Sequence, residues 1–143
     1  MADKQITLVG CGKMGSAMLQ GWLGDASLDA HCTIIEPDHA HLGWVANEPS
    51  VSLYQDCAAA TADKDIASTM IVLAVKPQMM NEALAAIGQL NNASSAYLSI
   101  AAGISTCWLR QRLGEDSLVL RAMPNTPAAV GKGITALFAD APD

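Results

Sequence analysis

The feature that most constrains the fold is a glycine-rich segment that follows the first apolar stretch of the chain. Residues 10–15 read Gly-Cys-Gly-Lys-Met-Gly, directly after the aliphatic run at 6–9 and before residues with apolar positions at helical spacing. A strand, a tight glycine turn and a helix in this order form the phosphate-binding corner of dinucleotide-binding domains. The segment therefore predicts a dinucleotide site at a helix N-terminus, where free N–H groups and the helix dipole favour phosphate.

The three glycines of this segment have separate expected roles. Gly10 permits a tight turn, Gly12 lets a pyrophosphate approach the main chain, and Gly15 lets the helix pack closely on the strand. A glycine turn without a ligand is the alternative. It is disfavoured because the strand, the glycines, the helix and a later acidic residue occur together.

That acidic residue, Glu36, stands at the end of the second predicted strand. It follows the glycines by about 20 residues, the offset at which a carboxylate accepts a hydrogen bond from the adenosine ribose 2′-hydroxyl. A 2′-phosphate would favour Arg or Lys there, and residues 33–45 contain neither. The sequence therefore favours NADH as the cofactor. NADPH stays open, because Glu36 could turn to solvent and His39 or His41 could meet a phosphate.

Short apolar stretches alternate along the chain with longer stretches at helical spacing. Strands are predicted at residues 6–9, 33–35, 70–75, 97–101 and 118–123, and helices at 14–23 and 78–88. A third helix is predicted to follow the N-cap residue Ser105 and to run through Leu113. Strands that are apolar throughout, with helices between them, imply a parallel sheet covered on both faces. We expect an α/β fold, a doubly wound, mostly parallel sheet of the Rossmann type, with residues 1–143 forming one dinucleotide-binding domain.

Charge and hydropathy disfavour several classes of protein. The chain has 8 basic and 14 acidic residues and a net charge of −6, so it lacks the counterion release on which nucleic-acid binding depends. Its longest apolar run, at 70–75, is far shorter than the roughly 20 residues that span a bilayer. Residues 1–5 lead directly into the first strand and leave no room for a signal peptide. We expect a cytoplasmic protein without nucleic-acid or membrane partners.

Cysteine and histidine side chains show no pattern typical of a metal centre or of disulfides. The four cysteines lie far apart, at positions 11, 32, 57 and 107, and are expected to be reduced and mostly buried. An alternative for Cys11 is a reactive thiol, because a helix N-terminus lowers the thiol pKa. His39 and His41 would need a third ligand from elsewhere to hold a metal, so no metal site is expected.

Three further segments stand at the carboxyl ends of predicted strands, where open α/β sheets bind ligands. In the first, Pro77 biases Lys76 toward an extended backbone, and the lysine could face a phosphate or ribose or be an ordinary surface charge. The second would let a flat ring approach the main chain, or form an ordinary turn; it consists of Ala101, Ala102 and Gly103. The third is a stiff loop suited to border a cofactor ring or a small polar substrate; it consists of Met123, Pro124, Asn125, Thr126 and Pro127.

Four segments together resemble those of pyrroline-5-carboxylate reductase. They are residues 6–15, with Met14 before the third glycine, 73–78 (Leu-Ala-Val-Lys-Pro-Gln), 99–104 (Ser-Ile-Ala-Ala-Gly-Ile) and 123–128 (Met-Pro-Asn-Thr-Pro-Ala). The resemblance implies hydride transfer from NAD(P)H to the C=N carbon of Δ1-pyrroline-5-carboxylate, which gives L-proline. It also implies that the full-length protein is a homodimer or a higher homo-oligomer.

Carried over by position, the resemblance implies a role for each matching residue. Residues 123–127 would flank the nicotinamide and the imine. The cofactor would contact Gly10, Cys11, Gly12, Lys13, Met14, Gly15, Glu36, Pro37, Ala74, Val75, Lys76, Pro77, Ala101, Ala102 and Gly103.

Three departures from the family pattern bear on function. Lys13 stands where the family often has Asn, and Glu36 replaces a hydroxyl or small polar residue of members that accept NADPH readily. Family members also continue into a C-terminal helical domain that forms the dimer and completes the substrate pocket. That domain is absent from this chain, so the catalytic residues are expected outside it and the isolated chain is expected to be inactive. The alternatives are a stand-alone redox-sensing module and a related imine or β-hydroxyacid reductase.

Overall fold

The computed structural model of the chain describes residues 4–63, 66–90, 94–125 and 132–140. Within them, 3₁₀ turns occur at Gly43–Val45 and Pro77–Met79, and no helix is long and apolar enough to cross a membrane. The strands and α-helices follow in the order β1 (Lys4–Val9), α1 (Lys13–Gly24), β2 (Ala30–Ile35), β3 (Val51–Tyr54), α2 (Cys57–Asp63), β4 (Met70–Leu73), α3 (Met80–Ile87), β5 (Ala96–Ser99), α4 (Thr106–Leu113), β6 (Val119–Met123) and β7 (Ala136–Asp140).

The strands form one seven-stranded sheet in the order β3-β2-β1-β4-β5-β6-β7. All neighbouring strands are parallel except β6 and β7, which are antiparallel. From β1 the chain builds outward through β2 and β3, then returns to the other side of β1 with β4. The strand order therefore reverses between β1 and β4, and the carboxyl ends of these strands are where a doubly wound sheet binds ligands.

Aliphatic side chains cover both faces of the sheet. On one face the core includes the fully buried residues Leu8, Leu19, Ile34 and Val72, with Leu19 contributed by α1. On the other face the core includes Ile71, Leu73, Met80, Ile87 and Leu109, with the last three contributed by α3 and α4. The predicted α/β class, with a doubly wound and mostly parallel sheet, is confirmed.

The predicted helices agree closely with the structure. Helix 14–23 is observed as Lys13–Gly24, and helix 78–88 as Met80–Ile87 behind a 3₁₀ turn. Ser105 caps α4 as expected, because its side chain accepts a hydrogen bond of 3.1 Å from the Trp108 N–H.

The strand predictions were wrong in two respects. Strands extended to Val75 and Ala101 end at Leu73 and Ser99, because the apolar run continues into the loops that follow. Three elements, β3, α2 and β7, were not predicted. β3 reads Val-Ser-Leu-Tyr and is half-buried throughout, without the apolar run of a central strand. β7 does contain an apolar run, but it is an edge strand whose Leu137 is 76% exposed.

Candidate functional site

The glycine-rich turn packs closely against the end of β4. Gly10 has a φ of 85°, and a Cβ added to it would lie 2.9 Å from both the Ala74 carbonyl oxygen and the Val75 Cγ1. A Cβ on Gly15 would lie 2.9 Å from the Gly10 carbonyl oxygen. Both positions therefore require glycine: Gly10 for its left-handed conformation and its space, and Gly15 for the packing of α1 on the turn.

Gly12, in contrast, faces open space. A Cβ added there would meet no atom within 4 Å, and Gly12 lines a cleft of about 540 Å³. The first hydrogen bond of α1 runs from the Ser16 N–H to the Gly12 carbonyl, so the N–H groups of the first helical turn have no partner within the helix. Room beside Gly12 and unpaired N–H groups fit a pyrophosphate.

Glu36 points toward this turn rather than into solvent. Its Oε2 accepts a hydrogen bond of 2.7 Å from the Cys11 N–H, and its Oε1 accepts one of 3.0 Å from the Asp38 N–H. A carboxylate has about four acceptor positions, so roughly two stay available for ribose hydroxyls. The carboxylate is thus fixed at the end of β2 with acceptor capacity left over.

His41 holds the same residue of the turn from its other side. Its Nε2 lies 2.6 Å from the Cys11 carbonyl oxygen, and because a carbonyl only accepts, Nε2 is the donor. His41 is nevertheless an exposed loop residue, so its ring bonds to the turn from the surface. His39 is also exposed.

The cleft brings seven of the predicted cofactor residues together. These are Gly10, Gly12, Glu36, Pro37, Ala74, Val75 and Lys76. Its remaining lining includes four acidic or polar side chains, Asp38, Gln55, Asp56 and Glu82, and the small or flexible apolar residues Met79, Ala83 and Ala86. Carboxylates outnumber the single lysine of the lining, so the cleft is acidic on the β2 side.

The lining from α2 and α3 was missed by the sequence analysis. Gln55 and Asp56 come from the turn after β3, and Cys57 begins α2; neither β3 nor α2 was predicted. Met79 ends the 3₁₀ turn before α3, and Ala83 and Ala86 lie on α3, in a segment that was predicted only as a helix. The spacing indicated which helix face is apolar, but not that part of this face borders the cleft.

The downstream segments lie beside the cleft rather than in its lining. Arg121 connects them, because its Nη2 lies 3.4 Å from the Ala101 carbonyl oxygen and 3.7 Å from the Met123 sulfur. Gly103 has a φ of 74°, so its turn requires glycine. Asn125 accepts a hydrogen bond of 2.9 Å from the Ile134 N–H. Thr126 and Pro127 lie outside the described residues.

The other predicted cofactor residues surround the turn. Cys11 is fully buried, Lys13 is exposed and Met14 is half-buried. Pro77 begins the 3₁₀ turn that precedes α3. Ala101 is buried, whereas Ala102 is exposed.

The cysteines are free thiols, and three of the four are buried, as expected. Burial raises the pKa of Cys11 and Cys32, and for Cys11 the nearby Glu36 adds to this effect while a hydrogen bond with Ser16 opposes it. Burial and the charge of Asp56 raise the pKa of Cys57 to about 11. The alternative of a reactive Cys11 is therefore wrong. In the described part of the chain no three His, Cys, Asp or Glu side chains cluster as a metal site would require.

The sheet order, the glycine turn and the cleft together define an NAD(P)-binding domain of the Rossmann type. A family model described as "NADP oxidoreductase coenzyme F420-dependent" matches residues 5–103. The chain belongs to this family of oxidoreductases.

Its relatives agree with the resemblance seen in the motifs. The pyrroline-5-carboxylate reductase of Pasteurella multocida (strain Pm70) is 33% identical over 139 residues, which cover 97% of this chain and 50% of that protein. A solved pyrroline-5-carboxylate reductase from Coxiella burnetii is similar with a TM-score of 0.82 and 28% identity, over 96% of this chain and 50% of that one. The chain spans about half the length of the curated relatives it matches.

A third comparison bears on the fold alone. The pyrroline carboxylate reductase of Plasmodium falciparum, solved with NADP bound, has a TM-score of 0.71 at 23% identity, over 97% of this chain and 48% of that one. The predicted similarity to pyrroline-5-carboxylate reductases is confirmed, and it covers essentially all of this chain.

Two glycine substitutions should separate stability from binding. Gly10→Ala places a Cβ against the main chain of β4 at a positive φ, and we expect it to lower the free energy of unfolding by about 2 kcal/mol or more. Gly12→Ala has no such clash and should change stability by less than about 0.5 kcal/mol, while its methyl group occupies the cleft. Urea unfolding and NADH titration of both variants check this pair. If both substitutions lowered the free energy of unfolding equally, the packed position of Gly10 and the open position of Gly12 would be contradicted.

Thiol labelling should follow burial. We expect N-ethylmaleimide to modify Cys107 of the folded chain near neutral pH and to spare the three buried cysteines. Because the Cys57 pKa is about 11, its labelling should rise only as the pH approaches that value. Mass spectrometry of digested samples measures this, with Cys107→Ser as the control. Fast labelling of Cys11 in the folded chain would overturn the account.

Proposed function

We propose that the chain is the cofactor-binding portion of an NADH-dependent pyrroline-5-carboxylate reductase, an enzyme that reduces Δ1-pyrroline-5-carboxylate to L-proline. The observation that carries the proposal is the glycine turn fixed between β2 and β4, with an open cleft beside Gly12. The extended similarity to named reductases of this kind supports the substrate.

In this proposal the chain's own residues bind the dinucleotide and orient it. The N–H groups at the start of α1 would receive the pyrophosphate, because they lack helical partners and carry partial positive charge. Lys76, which lines the cleft together with Glu36, adds a cation for phosphate or ribose. The small side chains of Ala74 and Ala101, at the ends of β4 and β5, leave room for a flat ring near the main chain.

A bound nicotinamide dinucleotide supplies the hydride, so the protein's contribution is alignment and exclusion of water. Residues 101–103 and 123–125 would border the reacting ring on the β5 and β6 side. Arg121 ties these two segments together through Ala101 and Met123. No residue of this chain is proposed to transfer a proton to the substrate.

The acidic cleft favours NADH over NADPH. Glu36 is fixed at the end of β2, and Asp38 and Asp56 line the same side. A 2′-phosphate placed there would meet like charges at short range, which disfavours its binding. A 2′-hydroxyl would instead donate to the remaining acceptor positions of Glu36.

A chimera tests the reductase proposal. The matching half of the Pasteurella multocida enzyme is replaced by this chain, and NADH oxidation and proline formation are followed with Δ1-pyrroline-5-carboxylate. We expect the chimera to form proline and the isolated chain to bind NADH without turnover. A chimera that binds NADH but forms no proline would contradict the substrate assignment, and turnover by the isolated chain would contradict its dependence on residues elsewhere.

Glu36→Ser should shift the cofactor preference. Loss of the carboxylate removes the repulsion of a 2′-phosphate, so the affinity for NADPH relative to NADH should rise about tenfold, the equivalent of about 1.4 kcal/mol. The substitution also removes the hydrogen bond to the Cys11 N–H, which should lower both affinities. The ratio of the two affinities therefore reports the effect of the lost charge. Calorimetric titration measures it, and Glu48→Ser, at an exposed site outside the cleft lining, is the matched control. An unchanged ratio would count against Glu36 as the discriminating residue.

A further inference from the structure

The ring of His41 is joined to the glycine turn rather than to its own loop. The hydrogen bond from Nε2 to the Cys11 carbonyl oxygen is 2.6 Å long and links residues 30 positions apart. A second donor, the Ser16 hydroxyl, reaches the same oxygen at 3.3 Å. The shorter contact makes His41 the principal partner of this carbonyl.

Cys11 is consequently held through both of its main-chain polar groups. Its N–H donates to Glu36 and its carbonyl accepts from His41, and both partners come from the segment that follows β2. We call Glu36, Cys11 and His41 the Cys11 clamp. A residue held at both groups cannot rotate its neighbouring peptide planes without breaking one of these bonds.

The clamp sets the direction of the next N–H group. No cis peptide bond occurs in the described residues, and in a trans peptide the carbonyl of one residue and the N–H of the next point in opposite directions. The contact between His41 and the Cys11 carbonyl therefore fixes the Gly12 N–H on the opposite side. Gly12 lines the cleft, and in the described part of the chain its N–H donates to no group.

The contact also masks a charge. A carbonyl oxygen carries partial negative charge, which would repel a nearby phosphate. A hydrogen bond from an imidazole N–H offsets that charge at the oxygen. Both effects act in the same direction, since they favour an anion next to the turn.

We propose that His41 is a positioning residue for dinucleotide binding, holding the Cys11 carbonyl so that the Gly12 N–H is presented to the pyrophosphate. The proposal rests on the proposed function, because it assumes that the cleft takes a dinucleotide. His41 itself lines the cleft, and the role assigned to it acts through Gly12, not through the reacting atoms.

Three substitutions at one position test this role. His41→Gln keeps an N–H donor at about the reach of Nε2, whereas His41→Asn is shorter and His41→Leu has no donor. We expect the Asn and Leu variants to raise the Kd for NADH roughly three- to tenfold, the effect of one lost hydrogen bond, and the Gln variant to stay within about twofold of the native chain. His39→Leu, two residues away at an exposed site, is the matched control and should leave the Kd unchanged.

Ligand fragments distinguish positioning from a general structural role. The Asn and Leu variants should also bind ADP more weakly, because ADP retains the pyrophosphate, and should bind adenosine as the native chain does. The Gly12 amide resonance in ¹H–¹⁵N spectra should move on ADP addition to the native chain and move less in the Leu variant. Equal weakening of adenosine and ADP, or unchanged NADH binding by the Asn and Leu variants, would overturn the proposal for His41. Failure of the native chain to bind NADH would instead overturn the proposed function.

Discussion

The close approach of Gly10 to the end of β4 is the contact on which the candidate site depends. At a φ of 85° the chain turns out of β1 directly across Ala74 and Val75, while the Gly10 N–H donates to the Ile35 carbonyl at 2.9 Å. The turn is thereby fixed to β2 on one side and packed on β4 on the other. Gly15 then brings α1 against the Gly10 carbonyl, so the start of the helix lies above the point where the strand order reverses.

One carboxylate would serve two purposes in the proposed function. Glu36 accepts a hydrogen bond from the Cys11 N–H, and its negative charge would also disfavour a 2′-phosphate. Structural support of the turn and the proposed choice of cofactor would then be coupled in a single side chain. A substitution at this position alters both, and only the ratio of two affinities separates them.

The parts of the site that were predicted from sequence depend on short-range rules. The spacing of Gly10, Gly12 and Gly15, the position of Glu36 and the Ser105 cap each follow from contacts within a turn or at a strand end. The contact of His41 with Cys11 could not be predicted in this way, because it joins residues 30 positions apart and depends on how the loop after β2 folds back. Likewise, β3 lacks the apolar run of a central strand, since it lies at an edge of the sheet.

A crystal structure of the chain with NADH tests the central claim most directly. The account predicts the pyrophosphate against the N–H groups of Gly12 and the first turn of α1, with a ribose hydroxyl donating to Glu36 and the Cys11 clamp unchanged. A dinucleotide bound elsewhere on the sheet, or one bound in this cleft with Glu36 turned away and the His41 contact broken, would contradict it.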